Sequence, residues 1–520
     1  MATVSPQTIS AWTGARTTAA LSLFVALYAM FLWGVVRPPT IREWRPADTQ
    51  TIARHLAEPG ASILYPRVDW GGDGPGYVET EFQLYPWLVS RLLRTFGDAE
   101  WPGELLSLLA TAAAAGVAFR GLARAQGPFA AGFGTIALLA SPAVIYTATR
   151  VQPEALCLLL YTSAWFGFLR YQSSSSSSWL VIYAALGATA MLVKPTAAQL
   201  GISCFLLLLF RSPNQLRTLG PWLAWAFMLS ALGLYLIHAR SLYLEYGNTF
   251  GVLSGGDSKL PRLEHLLTPR LYLKAAVHSV RWGTGMAGAA AMVILLVIRK
   301  RIDLIAALFM GNAIWTLLAL RYTSQAAGNH YHILAAVLAA HAVALVAEAA
   351  LRSSRRIVAV SALSAALAVA LGVALKQRSQ DRKSEWDAPV VAASVALAGL
   401  ARPGDLVVVR SLDTRYDSYW RTPNNYQDPR VFYLTRTHGW AVAADDADPS
   451  LIANASRRGA RYYVEPMPRP KGGPLDAWLA DHGALVTTTP FGGRVFALDG
   501  ARDGSLPGVT RTSGDGLLRP

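Results

Sequence analysis

Residues 357–375 read IVAVSALSAALAVALGVAL, a run of 19 residues without a charged side chain. A helix rises about 1.5 Å per residue, so roughly 20 apolar residues cross the hydrocarbon core of a bilayer. The stretch therefore predicts a membrane-spanning helix. The whole chain has the same character, since 53% of its 520 residues are hydrophobic and only 15% are charged. That composition argues against an ordinary soluble enzyme.

Similar apolar blocks recur through the first 376 residues and predict about eleven membrane-spanning helices. The short blocks at 179–193 and 196–210 are separated by Pro195 and fit either a helical hairpin or one broken helix. The first block is longer than the apolar region of a signal peptide and has no convincing cleavage site, which indicates an uncleaved anchor. The predicted spans are 16–36, 104–122, 129–147, 153–169, 179–193, 196–210, 219–238, 284–298, 303–320, 331–350 and 356–375.

Loop charge predicts the orientation of these spans. Every second short loop is basic, which is typical of the cytoplasmic side of a membrane. The N-terminus is then cytoplasmic, and the loops 37–103, 239–283 and 321–330 face outward with the C-terminal tail. The net charge of +15 follows from this topology and from attraction to anionic lipid, and it does not indicate a nucleic-acid partner. The basic loops contain Arg120, Arg124, Arg170, Arg211, Arg217, Arg299, Lys300, Arg301, Arg352, Arg355 and Arg356.

The tail, residues 377–520, has a different pattern. Short β-like runs alternate with helical ones, which predicts a small extracytoplasmic α/β domain that ends in a Gly-rich terminus. The predicted strands are 406–409, 461–464, 484–486 and 494–497, and the predicted helices are 389–400, 448–458 and 474–482. Cys157 and Cys204 both fall within predicted spans, so we expect buried thiols and neither a disulfide framework nor a metal cluster.

Most polar residues of chemical interest lie in the outward loops. The span centres are nearly free of ionisable residues, and this favours a reaction site at the outer interface over a conduction path. The first outward loop, 37–103, is the densest part, with tryptophans and tyrosines that suit short helices lying flat on a membrane. Asp48 is expected to begin one such helix. There it acts either as an N-cap or as a site residue.

Several of these loop segments resemble one enzyme family. Trp44-Arg45-Pro46-Ala47-Asp48-Thr49, with Ile52-Ala53-Arg54, is similar to the first-loop motif of the dolichyl-phosphate-mannose protein mannosyltransferase-like family (glycosyltransferase family 39, with its bacterial aminoarabinose-transferase relatives). Further blocks follow in the same order at 79–86, 150–154, 194–196 and 330–332. The resemblance covers roughly residues 15–350 and implies the GT-C fold, here a membrane body at 1–376 followed by the tail domain.

The resemblance also implies a reaction. The donor is a sugar on a polyprenyl phosphate, the acceptor is a hydroxyl of a glycan, lipid or protein, and the enzyme is a multi-pass protein of the inner or plasma membrane. The first-loop aspartate, here Asp48, is implied as the catalytic base of an inverting transfer. A hydroxyl is a poor nucleophile until a positioned carboxylate takes its proton, and the leaving phosphate requires cations or hydrogen-bond donors.

The candidate site residues each have a structural alternative. Glu154 could complement a helix dipole, and Lys194 could cap a helix C-terminus. Arg240 and Arg281 could extend to lipid headgroups, and His330 and Tyr331 could be interfacial residues. Glu79 and Glu81 would diverge on a helix, so we expect only one, Glu81, to face the site. The predicted catalytic residues are Asp48, Glu154 and Glu81, and the predicted substrate-binding residues are Arg45, Glu79, Tyr85, Arg150, Lys194, Arg240, Arg281, Arg321, His330 and Tyr331.

Two other functions compete with this interpretation. One is an O-antigen-ligase-like transferase, which would depend on arginine and histidine instead of an acidic first loop. The other is a flippase or transporter of lipid-linked sugars, which would favour inverted repeats and midplane charges. No cofactor is expected. A divalent cation held by Asp48 with Glu79, Glu81 or Glu154 is chemically conceivable, but no spacing of metal ligands supports it.

Overall fold

The computed structural model describes residues 6–36, 43–253, 262–298, 301–381, 388–446, 448–470 and 472–498. Parts of the predicted outward loops, 37–42 and 254–261, lie outside the described residues. So do the basic pair at 299–300 and the predicted Gly-rich terminus from 499 onward.

The first half of the chain is almost entirely helical. Two apolar helices of this half are followed by short interruptions: Pro195–Ala198 forms a 3-10 turn, and residues 140–141 separate α5 from α6 within the predicted span 129–147. The helices are α1 (Pro6–Phe31), α2 (Trp44–Ala57), α3 (Leu84–Phe96), α4 (Trp101–Gln126), α5 (Pro128–Leu139), α6 (Pro142–Thr147), α7 (Glu154–Ser174), α8 (Ser177–Val193), α9 (Gln199–Arg211) and α10 (Leu219–Tyr246).

The second half of the membrane body continues in the same way. A π-helical turn, Ser279–Thr284, joins two of its helices into one apolar stretch. The helices are α11 (Leu263–Leu266), α12 (Pro269–His278), α13 (Gly285–Ile298), α14 (Ile302–Leu318), α15 (Leu320–Thr323), α16 (Ala335–Leu351) and α17 (Arg356–Asp381). Two short strands, β1 (Val78–Glu79) and β2 (Asn248–Thr249), pair in parallel and join the first outward loop to the loop after α10.

Helix α16 lies at the centre of the bundle. It is apolar on all sides and buried from Ala335 to Ala347, as expected for a helix surrounded by others. It packs against α5 and α13, and α4 links α5 to α7. By contrast, α10 exposes Leu223, Phe227 and Ile237, which suits contact with lipid.

Each predicted span coincides with a helix, and the chain is a membrane protein by its fold. Among the described helices, four are long and apolar enough to cross a bilayer by length and composition: Trp101–Gln126, Leu219–Tyr246, Pro269–Ile298 and Arg356–Arg378. Most of the other predicted spans are shorter apolar helices. The number of crossings and their orientation stay predictions. Cys157 and Cys204 are buried and unpaired, as expected.

Residues 388–498 form a sheet with helices around it. The sheet has five strands in the order β6-β3-β7-β9-β8; β6, β3 and β7 are parallel, whereas β9 is antiparallel to both β7 and β8. A separate hairpin pairs β4 with β5. The elements are α18 (Ala388–Ala398), β3 (Leu406–Arg410), β4 (Tyr416–Asp417), β5 (Thr422–Pro423), α19 (Arg430–Thr435), β6 (His438–Val442), α20 (Pro449–Arg457), β7 (Tyr462–Glu465), α21 (Pro474–His482), β8 (Gly483–Thr488) and β9 (Arg494–Leu498).

The predicted strands and helices of the tail are all present in this sheet region. Strands β4, β5 and β6 and helix α19 are additions. Whether this region lies outside the membrane as a separate domain stays a prediction.

Residues 69–72 of the loop between α2 and α3 pack directly on the sheet. The Gly439 amide donates to the Asp69 carbonyl at 2.8 Å, and the Gly72 amide donates to the Gly439 carbonyl at 2.7 Å. Because β6 is an edge strand, these bonds cover backbone groups that an open edge would expose. Gly76 has φ 73°, and a Cβ there would collide with the Val68 carbonyl oxygen, so this turn requires glycine.

Candidate functional site

Helix α2 carries the residue predicted as the catalytic base. The helix begins at Trp44, four residues before Asp48, and Glu43 is its N-cap residue. The expectation that Asp48 begins the helix is therefore wrong, and the alternative role of Asp48 as an N-cap does not apply. Pro46 explains the earlier start, because proline fits the first turn of a helix, where no intrahelical amide bond is lost.

Asp48 is almost completely buried, with 2% of its surface exposed. Its Oδ1 accepts a hydrogen bond from the Trp70 indole at 3.1 Å. Its Oδ2 has no hydrogen-bond partner among the described residues. Burial raises the pKa of Asp48 well above its usual value, while the Trp70 hydrogen bond and the nearby Arg45 charge lower it less strongly.

A small cavity opens beside this carboxylate. Thr80, Glu81 and Gln83 contribute polar groups to its wall, and Phe250 closes one side. Phe250 also packs edge-to-face on Trp70, with ring centroids 5.7 Å apart. Asp48 therefore borders a small, partly open cavity and has almost no direct contact with bulk water.

Arg45 and Glu81 form the next part of the site. Arg45 Nη2 donates to both carboxylate oxygens of Glu81 at 2.9 Å. The neighbouring carboxylates, Glu81 first among them, raise the pKa of Arg45 despite the opposing effect of burial. Arg45 thus remains a cation three residues before Asp48 on the same helix.

Lys194 joins two buried carboxylates. Its ammonium donates to Glu154 Oε1 and lies 3.7 Å from Glu81 Oε1. It also lies 5.7 Å from the centre of the Tyr331 ring. Glu154 is the first residue of α7 and Lys194 is the C-cap of α8. Glu154 therefore lies where it can complement the dipole of α7, and Lys194 lies at the C-terminus of α8, as their structural alternatives expect. The ion pair between them also brings the start of α7 and the end of α8 into contact.

His330 and Tyr331 lie beside these charged side chains, and we call the whole group the acidic-basic cluster: Arg45, Glu81, Glu154, Lys194, His330 and Tyr331. The His330 ring lies 4.4 Å from the Tyr331 ring. Burial lowers the pKa of His330 to about 3, with Glu154 opposing and Lys194 adding to that effect. At neutral pH the imidazole is uncharged, so it can donate or accept a hydrogen bond.

Arg150 lies at the edge of the acidic-basic cluster. It pairs with Glu43 and stacks on Tyr146, 3.3 Å from the ring centre. Arg378 of α17 lies 5.4 Å from the same ring. The sequence did not single out Glu43, Tyr146 or Arg378, because their proximity depends on the packing of α6 against α17.

The structure places five predicted substrate-binding residues elsewhere. Glu79 belongs to β1, so the helical premise was wrong; its carboxylate accepts from Thr249 Oγ1 at 2.7 Å and from the Leu253 amide at 2.9 Å. Tyr85 is fully buried, and its hydroxyl donates to the Gly103 carbonyl at 2.7 Å. Arg321 donates to Thr422 Oγ1 at 2.6 Å and so joins the helical body to the tail. Arg240 and Arg281 are exposed, as the headgroup alternative expects.

Sequence reasoning also missed two neighbours of Asp48. Trp70 and Phe250 surround its carboxylate, yet they lie 22 and roughly 200 residues away along the chain. The Trp70 indole could have been suspected from its place in the aromatic first loop. No signal distinguished Phe250, because its position depends on the pairing of β1 with β2.

The chain resembles proteins of known structure over most of its length. It is similar to ArnT from Cupriavidus metallidurans in the apo state, with 16% identity, a TM-score of 0.61, and coverage of 92% of this chain and 98% of that chain. The same protein bound to undecaprenyl phosphate gives a TM-score of 0.56 at the same identity and coverage. This is the GT-C fold.

Two further comparisons agree with the GT-C fold. Archaeal oligosaccharyltransferase AglB from Archaeoglobus fulgidus, in complex with an inhibitory peptide and a dolichol-phosphate, has 11% identity and a TM-score of 0.54 over 92% of this chain and 74% of that chain. Residues 83–238 match the family described as dolichyl-phosphate-mannose-protein mannosyltransferase. The resemblance inferred from sequence is thus confirmed, although the motif at 44–54 lies outside this match. No curated protein shows significant sequence similarity to the chain.

Proposed function

We propose that the chain is an inverting glycosyltransferase that moves a sugar from a polyprenyl phosphate to an acceptor hydroxyl at the outer face of the membrane. The observation that carries the proposal is Asp48, a buried carboxylate beside a small cavity, with one oxygen that has no partner among the described residues. Its neighbours are the cations of the acidic-basic cluster. The GT-C fold and the lipid phosphates bound in the ArnT and AglB structures support the choice of donor.

In this proposal Asp48 is the general base. Its raised pKa makes the carboxylate a stronger proton acceptor than an exposed aspartate. Oδ2 takes the proton from the acceptor hydroxyl, while the hydroxyl oxygen attacks the anomeric carbon from the face opposite the phosphate. Trp70 holds Oδ1, so the other oxygen remains directed at the cavity.

The leaving group is a lipid phosphate, whose negative charge grows as the glycosidic bond breaks. Arg45 and Lys194 are fixed cations beside the cavity, and Arg150 lies next to them. Glu81 and Glu154 hold Arg45 and Lys194 in place through buried ion pairs. Fixed charges in a site that excludes water stabilise a developing anion without reorganisation. We therefore assign both glutamates positioning roles beside Asp48.

No metal enters this proposal. Among the described residues no group of three or more His, Cys, Asp or Glu side chains has the geometry of a metal site. Each cation named above is a side chain, and the lipid phosphate would meet these side chains directly.

The substitution Asp48→Asn tests the assignment. We expect transfer from radiolabelled polyprenyl-phosphate sugars to fall by about 10²–10⁴-fold, the usual contribution of a general base. The variant should unfold at the same temperature as the parent or higher, because asparagine has nearly the same shape and removes a buried, partly unsatisfied charge. An unfolding temperature at or above that of the parent would therefore show that the loss of transfer is catalytic and not a folding defect.

Asp446→Asn is the matched control, since this carboxylate pairs with Arg415 in the sheet region and neither residue lines the cavity beside Asp48. It should retain transfer activity. Full activity in Asp48→Asn would refute the base assignment and favour an O-antigen-ligase-like mechanism that depends on arginine and histidine. Transport of a lipid-linked sugar without turnover would refute the enzyme class.

A further inference from the structure

A second cavity lies at the other end of the helical bundle. It has a volume of about 570 Å³ and is enclosed by α4, α7, α8, α9, α14 and α16. Glu154 and Arg170 both belong to α7, and Arg170 lines this cavity. Sixteen residues separate them, or about 24 Å along a helix. This basic cavity is therefore remote from Asp48 and from the acidic-basic cluster.

The lining of the basic cavity carries one sign of charge. Five arginines contribute to it, and none of the residues that line it is acidic: Arg120, Arg124, Arg170, Arg211 and Arg301. Arg211 pairs with Asp303, with Nη2 2.9 Å from Oδ1. The other four pair with no carboxylate of the described residues. Arg211 is half-buried, whereas the other four are exposed. Like charges gathered around one cavity repel one another, so an anion would stabilise their arrangement.

A buried hydrogen-bond donor lies at the inner wall. His341 of α16 is 2% exposed and lines the basic cavity. Its Nε2 accepts the indole N–H of Trp165 at 2.8 Å, so the neutral ring carries its proton on Nδ1. Nδ1 has no partner among the described residues. The Gln126 carbonyl oxygen is also without one, and Gln126 lines the same wall.

One side of the basic cavity is apolar. Trp179, Ile182 and Leu186 of α8 line it, and Ile182 has 39% of its surface exposed. A ligand with a phosphate at the arginines and hydrocarbon along α8 would match both walls. A small soluble anion would leave the apolar wall unused.

We propose that the basic cavity binds the phosphate headgroup of an anionic membrane phospholipid, with an acyl chain along α8. The argument rests on four arginines without carboxylate partners among the described residues, a buried His341 donor and an adjoining apolar wall on α8. Basic pockets between membrane helices are suited to lipid phosphates. The site is separate from the one proposed for glycosyl transfer, so either proposal can fail without the other.

The test is native mass spectrometry of the detergent-solubilised protein titrated with phosphatidylglycerol. The double variant Arg120→Gln/Arg124→Gln should weaken binding by roughly ten- to thirtyfold, since each basic residue near a lipid surface contributes about 1 kcal/mol. Arg170→Gln, a single change at the opposite wall, should weaken it by roughly fivefold. Phosphatidylcholine should bind much less tightly to the parent.

The matched control is Arg355→Gln/Arg356→Gln, which removes the same charge from exposed residues that do not line the basic cavity. Its affinity should stay within twofold of the parent. Equal weakening by both double variants would show general attraction to anionic lipid and overturn the proposal. Displacement of the lipid by millimolar glycerol phosphate would assign the site to a soluble phosphate instead, and would also overturn it.

Discussion

Two opposing effects act on the pKa of the Asp48 carboxylate. Burial favours its protonated form, and the hydrogen bond from Trp70 favours the ionised form. A base must be ionised to accept a proton, so activity should rise with pH through the raised pKa of Asp48. Because the pKa of Asp48 is higher in the folded state than in the unfolded state, this group stabilises the fold most below the pKa of an unfolded aspartate. That contribution to stability is lost as pH rises through the pKa of the folded state.

Trp70→Phe separates these influences. Phenylalanine retains an aromatic ring against Phe250 but removes the indole donor. The pKa of Asp48 should rise further, and the acidic limb of the pH–rate profile should move to higher pH by about one unit, because a hydrogen bond to a charged group contributes about 1.5–3 kcal/mol. Trp440→Phe, in the edge strand β6, should leave the profile in place. An unchanged acidic limb in Trp70→Phe would mean that another group controls it.

Most residues of the candidate site could be selected from their residue type and their place in the sequence. Asp48, Arg45, Glu81, Glu154, Lys194, His330 and Tyr331 were all selected from sequence as candidates, and the structure brings them together. Their partners were not predictable, because Arg45 and Glu81 are 36 residues apart and Glu154 and Lys194 are 40 apart. Such contacts follow from packing of whole helices and not from local pattern.

The short strand pair β1–β2 positions one wall of the cavity beside Asp48. Strand β1 holds β2 in parallel, and the Glu79 side chain accepts hydrogen bonds from Thr249 and Leu253 on either side of Phe250. Glu79 therefore positions the loop that brings Phe250 against Trp70. This role differs from the substrate contact predicted for Glu79.

Glu79→Gln should loosen that loop. The amide group can accept through only one oxygen, so one of the two hydrogen bonds, worth about 1.5–3 kcal/mol to a charged group, is lost. Hydrogen exchange at 249–253 should accelerate, and KM for the donor should rise more than kcat falls. Thr249→Val, which removes one of the same bonds, should show a similar but smaller change. A fall in kcat alone with unaltered exchange would instead place Glu79 in the chemistry.

Elements differ in how far their sequence determines them. The long apolar runs coincide with helices because burial in lipid or in a bundle requires hydrogen bonds within the segment. Helix α19, with the sequence RVFYLT, was missed, because a run of six residues with four apolar ones fits a strand or a helix equally well. Strand β6 was missed because Gly439 interrupts its pattern; its φ of 145° is tolerated only by glycine.

One hydrophobic core connects the tail to the candidate site. Ile52 and Leu56 of α2 share this core with Trp70 and Phe250, and with residues of the tail from Val390 to Ala497. Arg54 of α2 also donates to the Tyr433 carbonyl at 3.1 Å and stacks on the Tyr433 ring at 4.2 Å. The tail therefore supports the outer side of the helix that carries Asp48, a role that the sequence pattern of the tail alone did not indicate.

Phe432→Ala tests this support. Phe432 is fully buried in the core shared with α2, and its truncation should cost about 3–5 kcal/mol of stability. Because small displacements of a catalytic group reduce rates steeply, transfer per folded molecule should fall by roughly tenfold or more. Leu475→Ala is the matched control: Leu475 is equally buried, but it lies in the separate core on α20, α21 and the strands they cover.

The two variants should be compared below both unfolding temperatures, with single-turnover transfer normalised to folded protein. Leu475→Ala is expected to lower the unfolding temperature while leaving transfer per folded molecule near the parent level, because its core does not contact α2. Phe432→Ala should lower both quantities. If the two variants lose transfer only in proportion to unfolding, the tail contributes stability without positioning Asp48. In that case the geometry of the site would depend on the helical body and the first loop alone.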